Sequence, residues 1–185
     1  MVEIGCGRDG GLVELLTARG YDVVGVDPQA PDGDRYVRQR FQEVDGRWDA
    51  AVAGRVLHHV NPLDDGIEHL ASLAPLLVVD EFASNRIDAA AQDWYESQHR
   101  MLRATGADPY GPPSLDEWRQ HHPGLHSDEL ILAALRKHYD ELTLERVPYL
   151  YRWLEGPASE ALEQGLVDAE AFEPIGYLWA GRRRG

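Results

Sequence analysis

The sequence predicts an α/β fold, a mostly parallel sheet with helices on both faces. Three observations predict it. Short apolar runs alternate with amphipathic segments through the first half of the chain. A glycine-rich turn stands between the first run and the first amphipathic segment. Five strand–helix units also fit within the first 81 residues, a dense α/β pattern.

The first strand is short, Val2-Glu3-Ile4, and residues 5–11 form the glycine-rich turn. Leu12, Leu15, Leu16 and Arg19 read as a helix that stops at Gly20. Residues 21–26 predict the second strand, closed by Asp27-Pro28. A loop over 29–35 leads to a third strand within 36–41, and Trp48 to Ala53 form the fourth. Asp64 opens a helix with Ile67, Leu70, Ala71 and Ala74 at helical spacing, and Leu76 to Val79 form a fifth strand running into Asp80-Glu81. Beyond it, Ile87, Ala90, Ala91, Trp94 and Met101 mark one face of a long helix. A Pro/Gly-rich break covers 105–113, Ser114 with Glu117 has the form of a capping box, and Ser127 is placed to cap a helix running to about His138. Two long strands, 142–154 and 175–182, complete the sheet.

These elements predict one domain over 1–185. Residues 1–83 form a cofactor-binding half, 84–140 a helical substrate-cover insertion, and 141–185 the C-terminal strands. With 185 residues, 43% of them hydrophobic, the chain is long enough to bury a full core. No apolar run approaches the ~20 residues that span a bilayer, and no basic segment followed by an apolar stretch marks a leader. The single cysteine, Cys6, excludes an intrachain disulfide and points to a reducing, cytoplasmic setting. A formal charge of −14 repels phosphate backbones and disfavours nucleic acid as a partner. Nothing indicates a membrane partner, and oligomeric state is open, a homodimer included.

The chemistry concentrates in Glu3–Gly11, EIGCGRDGG, after a strand and before a helix. Glycines there let the backbone turn tightly and approach a ligand, and the following helix presents its free N–H groups. Asp27, at the end of the second strand, is placed to accept hydrogen bonds from the ribose hydroxyls of a nucleoside cofactor. Gly5, Gly7 and Gly10 also fit the dinucleotide fingerprint by spacing alone. Two features tilt the reading toward a phosphate-free, cationic ligand: Glu3 would repel a pyrophosphate, and the chain is short for a dehydrogenase with a separate substrate domain.

These residues resemble the class I S-adenosylmethionine-dependent methyltransferases of the small-molecule type. Glu3–Gly11 looks like their first motif and Asp27 like their ribose-binding acid. Trp48–Val60, WDAAVAGRVLHHV, looks like their fourth strand and following turn, Leu76–Glu81 like the fifth strand, and PIGYLWAGRR like the last. The resemblance implies a Rossmann-like, mostly parallel seven-stranded sheet with an antiparallel last strand. The implied cofactor is S-adenosyl-L-methionine and the implied partner a small-molecule methyl acceptor.

Carried over by position, Glu3 faces the methionyl amino end, and Gly5, Cys6 and Gly7 pass beneath the methionyl and ribose parts. Asp27-Pro28 lie at the ribose, Gln42 or Glu43 at the adenine, and Gly54 and Arg55 near the sulfonium. The family's helix before the first strand has no counterpart in this sequence, so either the chain is cut at its start or the site is more open. His58 and His59 follow the fourth strand where the family's active site opens, and a histidine there can take a proton from an acceptor hydroxyl. Adjacent helical residues diverge by about 100°, so at most one of the two faces inward. Asp80 and Glu81 stand either as acceptor contacts or as caps. His121, His122 and His126 lack an acidic or cysteine partner at metal-ligand spacing, so no metal is expected. Trp94, Tyr95, Trp118, Tyr149, Tyr151 and Trp153 read as core or as an aromatic acceptor pocket.

Overall fold

The computed structural model describes residues 1–185. In chain order it contains β1 (Val2–Ile4), α1 (Val13–Ala18), β2 (Val24–Val26), β3 (Tyr36–Val37) and β4 (Ala51–Gly54). There follow α2 (Leu63–Leu73), β5 (Leu76–Phe82), α3 (Ala89–Ala104), α4 (Leu115–His121), α5 (Asp128–His138), β6 (Tyr139–Val147), α6 (Pro157–Asp168) and β7 (Gly176–Arg183). The strands form one seven-stranded sheet in the order β3-β2-β1-β4-β5-β7-β6, parallel at its centre and antiparallel at its last strand. That is the predicted fold class. No helix is long and apolar enough to cross a membrane.

The chain divides into two compact units. The first comprises residues 1–81, 129–145 and 178–185. Its centre is β1, buried along its whole length between β2 and β4, with Val2, Ile4, Ala51, Ala53, Leu77 and Val79 at 0% exposure. Strands buried on both faces favour apolar runs, as in Ala51–Gly54; β1 departs from this with Glu3, buried between Val2 and Ile4. Helix α2 contributes Ile67, Leu70, Ala71 and Leu73, one helical stripe. At the sheet's far side Trp179 packs edge-on against Tyr139, and its indole N–H donates to Glu141.

The second unit comprises residues 82–128 and 146–177. Its core joins Phe82, Tyr95, Leu115, Tyr149, Leu150, Leu154, Phe172 and Ile175, with Trp94, Trp118 and Trp153 packed against it. Phe82 stacks on Tyr149 at 4.8 Å. Ser114 caps α4 by accepting the Glu117 N–H, as its position predicted.

Several expected elements differ in extent. The second strand keeps only Val24–Val26 of the predicted 21–26, because Tyr21 donates its N–H back to Leu16 O and Asp22 O accepts from the Met1 ammonium rather than joining the ladder. The third strand stops at Val37, and Phe41–Glu43 is a 3-10 turn. The fifth strand runs on through Asp80 and Glu81 to Phe82. On α3 the buried stripe is Ala91, Tyr95 and His99, whereas Met101 is 52% exposed. The strand expected over 142–154 begins earlier, at Tyr139, and ends at Val147, before Pro148; a 3-10 turn at Leu150–Trp153 takes the place of the rest, and α6 follows it. Helix α6 begins with Pro157 at its first turn, a favourable place for a residue that lacks an N–H.

Candidate cofactor crevice

The chain leaves β1 at Ile4 and turns at once. Gly5 sits at φ +80°, and a Cβ built on it would lie 2.7 Å from Val56 Cβ. Conformation and space both demand glycine, and the turn after β1 consequently touches the turn after β4.

A crevice of about 340 Å³ opens beside this contact. Gly5 lines it from the β1 turn; Val26, Asp27 and Pro28 line it from the end of β2. Arg40, Phe41 and Gln42 come from the 3-10 turn region, and Val56, His59, Val60 and Asn61 from the chain beyond β4. It therefore lies at the carboxyl ends of β1, β2 and β4, where open α/β sheets bind ligands, and its volume falls in the ~300–1,000 Å³ range of ligand pockets. Asp27 is half-buried, and its Oδ1 accepts the Gln29 N–H at 2.7 Å, which fixes the carboxylate at the rim.

Other sequence-predicted residues stand around the crevice rather than in its lining. Glu3 is 3% exposed, and both its oxygens accept the Leu12 N–H, at 2.9 and 2.8 Å. Burial raises its carboxyl above the usual carboxylate range, against the lowering pull of Leu12 N–H and the Arg55 guanidinium. The Glu3 carboxylate thus anchors the far end of the glycine-rich turn. Cys6 is buried, and burial, followed by the charges of Glu3 and Asp27, pushes its thiol up to about 12. Gly7 follows in the turn, partly exposed. Gly54 ends β4. Arg55 takes φ +55°, unusual for a side-chain-bearing residue, while its N–H donates to Asp80 O at 2.7 Å. Glu43 is exposed beside Gln42.

The two histidines separate. His58 is 5% exposed, and its Nδ1–H donates to Glu81 Oε1 at 2.6 Å. Glu81, fully buried, accepts the Leu57 and His58 N–H groups on its other oxygen, at 2.9 and 3.3 Å. His59 is exposed and lines the crevice, with its ring centroid 4.1 Å from that of His58. Glu81 therefore caps the turn.

Outside the crevice, His121 and His122 donate from Nδ1 to the carbonyls of Glu117 and Trp118, one helical turn back. No group of three His, Cys, Asp or Glu side chains is arranged to hold a metal ion. Most of the six aromatics pack in or against the second unit's core. Sequence reasoning missed Val26, Arg40, Phe41, Val56, Val60 and Asn61 as lining. Val56 and Val60 lie inside the VLHHV stretch, but only the contact with Gly5 shows which way the turn folds.

A sequence model described as a methyltransferase domain matches residues 1–130. A search of curated proteins returns no match. Among solved structures, an S-adenosylmethionine-dependent methyltransferase from Mesorhizobium loti is 20% identical, with 99% of this chain and 90% of that one covered, at a TM-score of 0.60. The 1,6-didemethyltoxoflavin-N1-methyltransferase of Burkholderia thailandensis, bound to 1,6-didemethyltoxoflavin and S-adenosylhomocysteine, is 18% identical, covering 100% and 70%, at 0.58. The geranyl diphosphate C-methyltransferase of Streptomyces coelicolor A3(2) is 16% identical, covering 99% and 72%, at 0.60. Such identities are likenesses of fold; the domain match carries the family. With that match over most of its length, this chain belongs to the class I S-adenosylmethionine-dependent methyltransferases.

Proposed function

We propose that the chain transfers a methyl group from S-adenosylmethionine to a small-molecule acceptor. The observation that carries this reading is the crevice itself, with a carboxylate at its rim, Asp27, and the bare backbone of Gly5 in its wall. A carboxylate there accepts hydrogen bonds from vicinal ribose hydroxyls and repels a phosphate. The glycine leaves the backbone open to close approach. Phe41 offers an apolar wall for a purine, and Gln42 beside it a hydrogen-bonding amide.

When bound, the cofactor supplies a methyl group already activated on a sulfonium. The protein itself contributes alignment and exclusion of water. Asp27, Gly5 and Phe41 would hold the cofactor as it offers that methyl carbon to an acceptor atom and departs as S-adenosylhomocysteine with the carbon–sulfur bonding pair. For a hydroxyl acceptor the displaced proton goes to His59, the histidine on the crevice wall, while His58 stays in its pair with Glu81. Glu3, Cys6, Gly7, Gly54 and Arg55 act by shaping the two turns, and Pro28 and Glu43 flank the ribose and adenine ends.

A formal charge of −14 and the small molecules named in the neighbouring structures support a small acceptor over nucleic acid. The helical second unit is proposed to select it. The test is methyl transfer from labelled S-adenosylmethionine to a panel of small hydroxy, amino and enolic compounds, alongside calorimetric titration with S-adenosylhomocysteine and with NADH. Product on at least one acceptor supports the reading. Binding of S-adenosylhomocysteine with no transfer to any acceptor favours a cofactor-holding module, and preference for NADH ends it.

A further inference from the structure

Tyr36 occupies a slot made by three glycines. It is the cross-strand partner of Gly25, and its strand, β3, is an edge of the sheet. A Cβ built on Gly25 would lie 3.1 Å from Tyr36 Cδ1, and one on Gly33 would lie 3.2 Å from Cδ2, the opposite edge of the ring. At the tip, a Cβ on Gly10 would lie 2.6 Å from the Tyr36 oxygen and 3.0 Å from Cζ. The ring is gripped along both edges, and its hydroxyl end bears on Gly10. An aromatic ring laid over a cross-strand glycine is a known way to stabilise an edge. Reaching on to Gly10 adds a second effect.

Gly10 is where the glycine-rich turn becomes helix α1: its N–H donates to Gly7 O and its carbonyl accepts the Val13 N–H. It sits at φ +80°. The turn is tied from its other side by Glu3, whose carboxylate accepts the Leu12 N–H. On the outer side no packed core stands behind the tyrosine. Tyr36, Val13, Thr17 and Gly33 wall a separate cavity of about 390 Å³. A shorter side chain at 36 would extend that cavity to the turn and leave Gly10 unsupported.

We infer that Tyr36 is a positioning residue for the cofactor, its ring propping the glycine-rich turn at Gly10 so that the turn holds its ligand-ready shape before S-adenosylmethionine arrives. Tyr36 touches the turn and not the crevice, so its effect reaches the ligand only through the backbone. A turn already in its bound shape costs less order on binding, which strengthens affinity.

The test is calorimetric affinity for S-adenosylhomocysteine in Tyr36→Phe, Tyr36→Ala, Gly10→Ala and the double variant Gly10→Ala/Tyr36→Phe. Tyr36→Phe keeps the ring and should bind within about threefold of wild type, whereas Tyr36→Ala should bind at least about tenfold more weakly. Gly10→Ala drives a methyl into the tyrosine oxygen and also strains a backbone at φ +80°, so removing that oxygen should recover only part of the lost affinity, about threefold. A tyrosine that merely stabilised the edge would lower the melting temperature without this pair-specific recovery. If Tyr36→Ala does not fold, the Gly10 and Phe variants decide alone. Affinity of Tyr36→Ala within about twofold of wild type, or no recovery in the double variant, overturns the inference. Wild-type protein that binds no S-adenosylhomocysteine instead overturns the cofactor reading beneath it.

Discussion

Replacing Glu81 with alanine should release the turn that carries both histidines. The carboxylate is fully buried and accepts three hydrogen bonds: Leu57 N–H at 2.9 Å, His58 N–H at 3.3 Å and His58 Nδ1–H at 2.6 Å. Alanine would strand these donors at the carboxyl end of β5, an interior strand. Each buried donor left without an acceptor costs about 1–3 kcal/mol. Counting the 3.3 Å bond as weak, the loss is roughly 3–5 kcal/mol, the range seen when one partner of a buried pair is removed. For a chain of this size each kcal/mol moves Tm by about 2–4 °C, so Tm should fall by about 6–20 °C. Glu81→Gln keeps a carbonyl oxygen for the amides, and the imidazole can take the tautomer whose Nδ1 accepts from the new NH2, so its cost should be only about 1–2 kcal/mol. Urea unfolding followed by far-UV and near-UV dichroism measures both. An alanine variant within about 1 kcal/mol of wild type, or a glutamine variant as damaged as alanine, would refute the bonding scheme.

Asp27→Ala should weaken S-adenosylhomocysteine binding by about 1–3 kcal/mol, roughly 5–150-fold, through orphaned ribose hydroxyls; unchanged affinity by calorimetry would remove Asp27 from that role. Cys6 is 4% exposed, with its thiol pushed up to about 12. It should therefore react with iodoacetamide at about pH 8 at least about a hundredfold more slowly in folded than in urea-unfolded protein, and similar rates would contradict its burial. Burial raises the Glu163 carboxyl above the usual range, against the lowering effect of the Tyr149, Tyr151 and Leu150 N–H groups. A carboxyl that binds its proton more tightly when folded gains stability as pH falls through the window just above its unfolded value. The stability of wild type relative to Glu163→Gln should thus improve from about pH 7 to about pH 5, and urea midpoints moving the other way would reject that sign.

How much of this was legible depends on what each feature answers to. The glycine-rich turn, Asp27 and the VLHHV stretch were legible because local backbone demands fix their spacing along the chain. The parallel centre of the sheet follows from the strand–helix alternation, and the capping box at Ser114 is a local bond. Tyr36 left no signal: its role exists only once Gly10, Gly25 and Gly33 converge on one ring from three parts of the chain. Phe41 and Val56 line the crevice for a similar reason. The limits of β2 and β6 were misjudged because apolar content reads past the last paired residue, and pairing is decided by the neighbouring strand. Helix α6 was missed because its buried residues, Ser159 and Glu163, are polar. A search for an apolar stripe passes over it.

Glu163 connects that miss to the site. Its carboxylate, 0% exposed on α6, accepts the N–H groups of Tyr149, Leu150 and Tyr151 at 2.8, 3.1 and 2.7 Å. Glu81 does the same for Leu57 and His58, and Glu3 for Leu12. In each case a buried acid serves an irregular turn whose amides point away from any strand or helix partner. The N–H dipoles offset part of the cost of burying each carboxylate, helped at Glu3 by Arg55 and at Glu163 by Arg152, and the carboxylate satisfies amides that would otherwise be stranded. A protein whose central strands are three or four residues long has many such amides at its strand ends, which is also where the ligand crevice opens. The acids nearest the crevice therefore have separate roles. Glu3 and Glu81 commit their oxygens to the turns, and Asp27 is the carboxylate that lines the crevice itself. The three internal caps should consequently tolerate glutamine better than alanine, since one carbonyl oxygen still serves the amides. Asp27→Asn, by contrast, should keep the fold and lose cofactor affinity. A stability loss in Asp27→Asn as large as in Glu81→Ala would show that this division of labour is wrong.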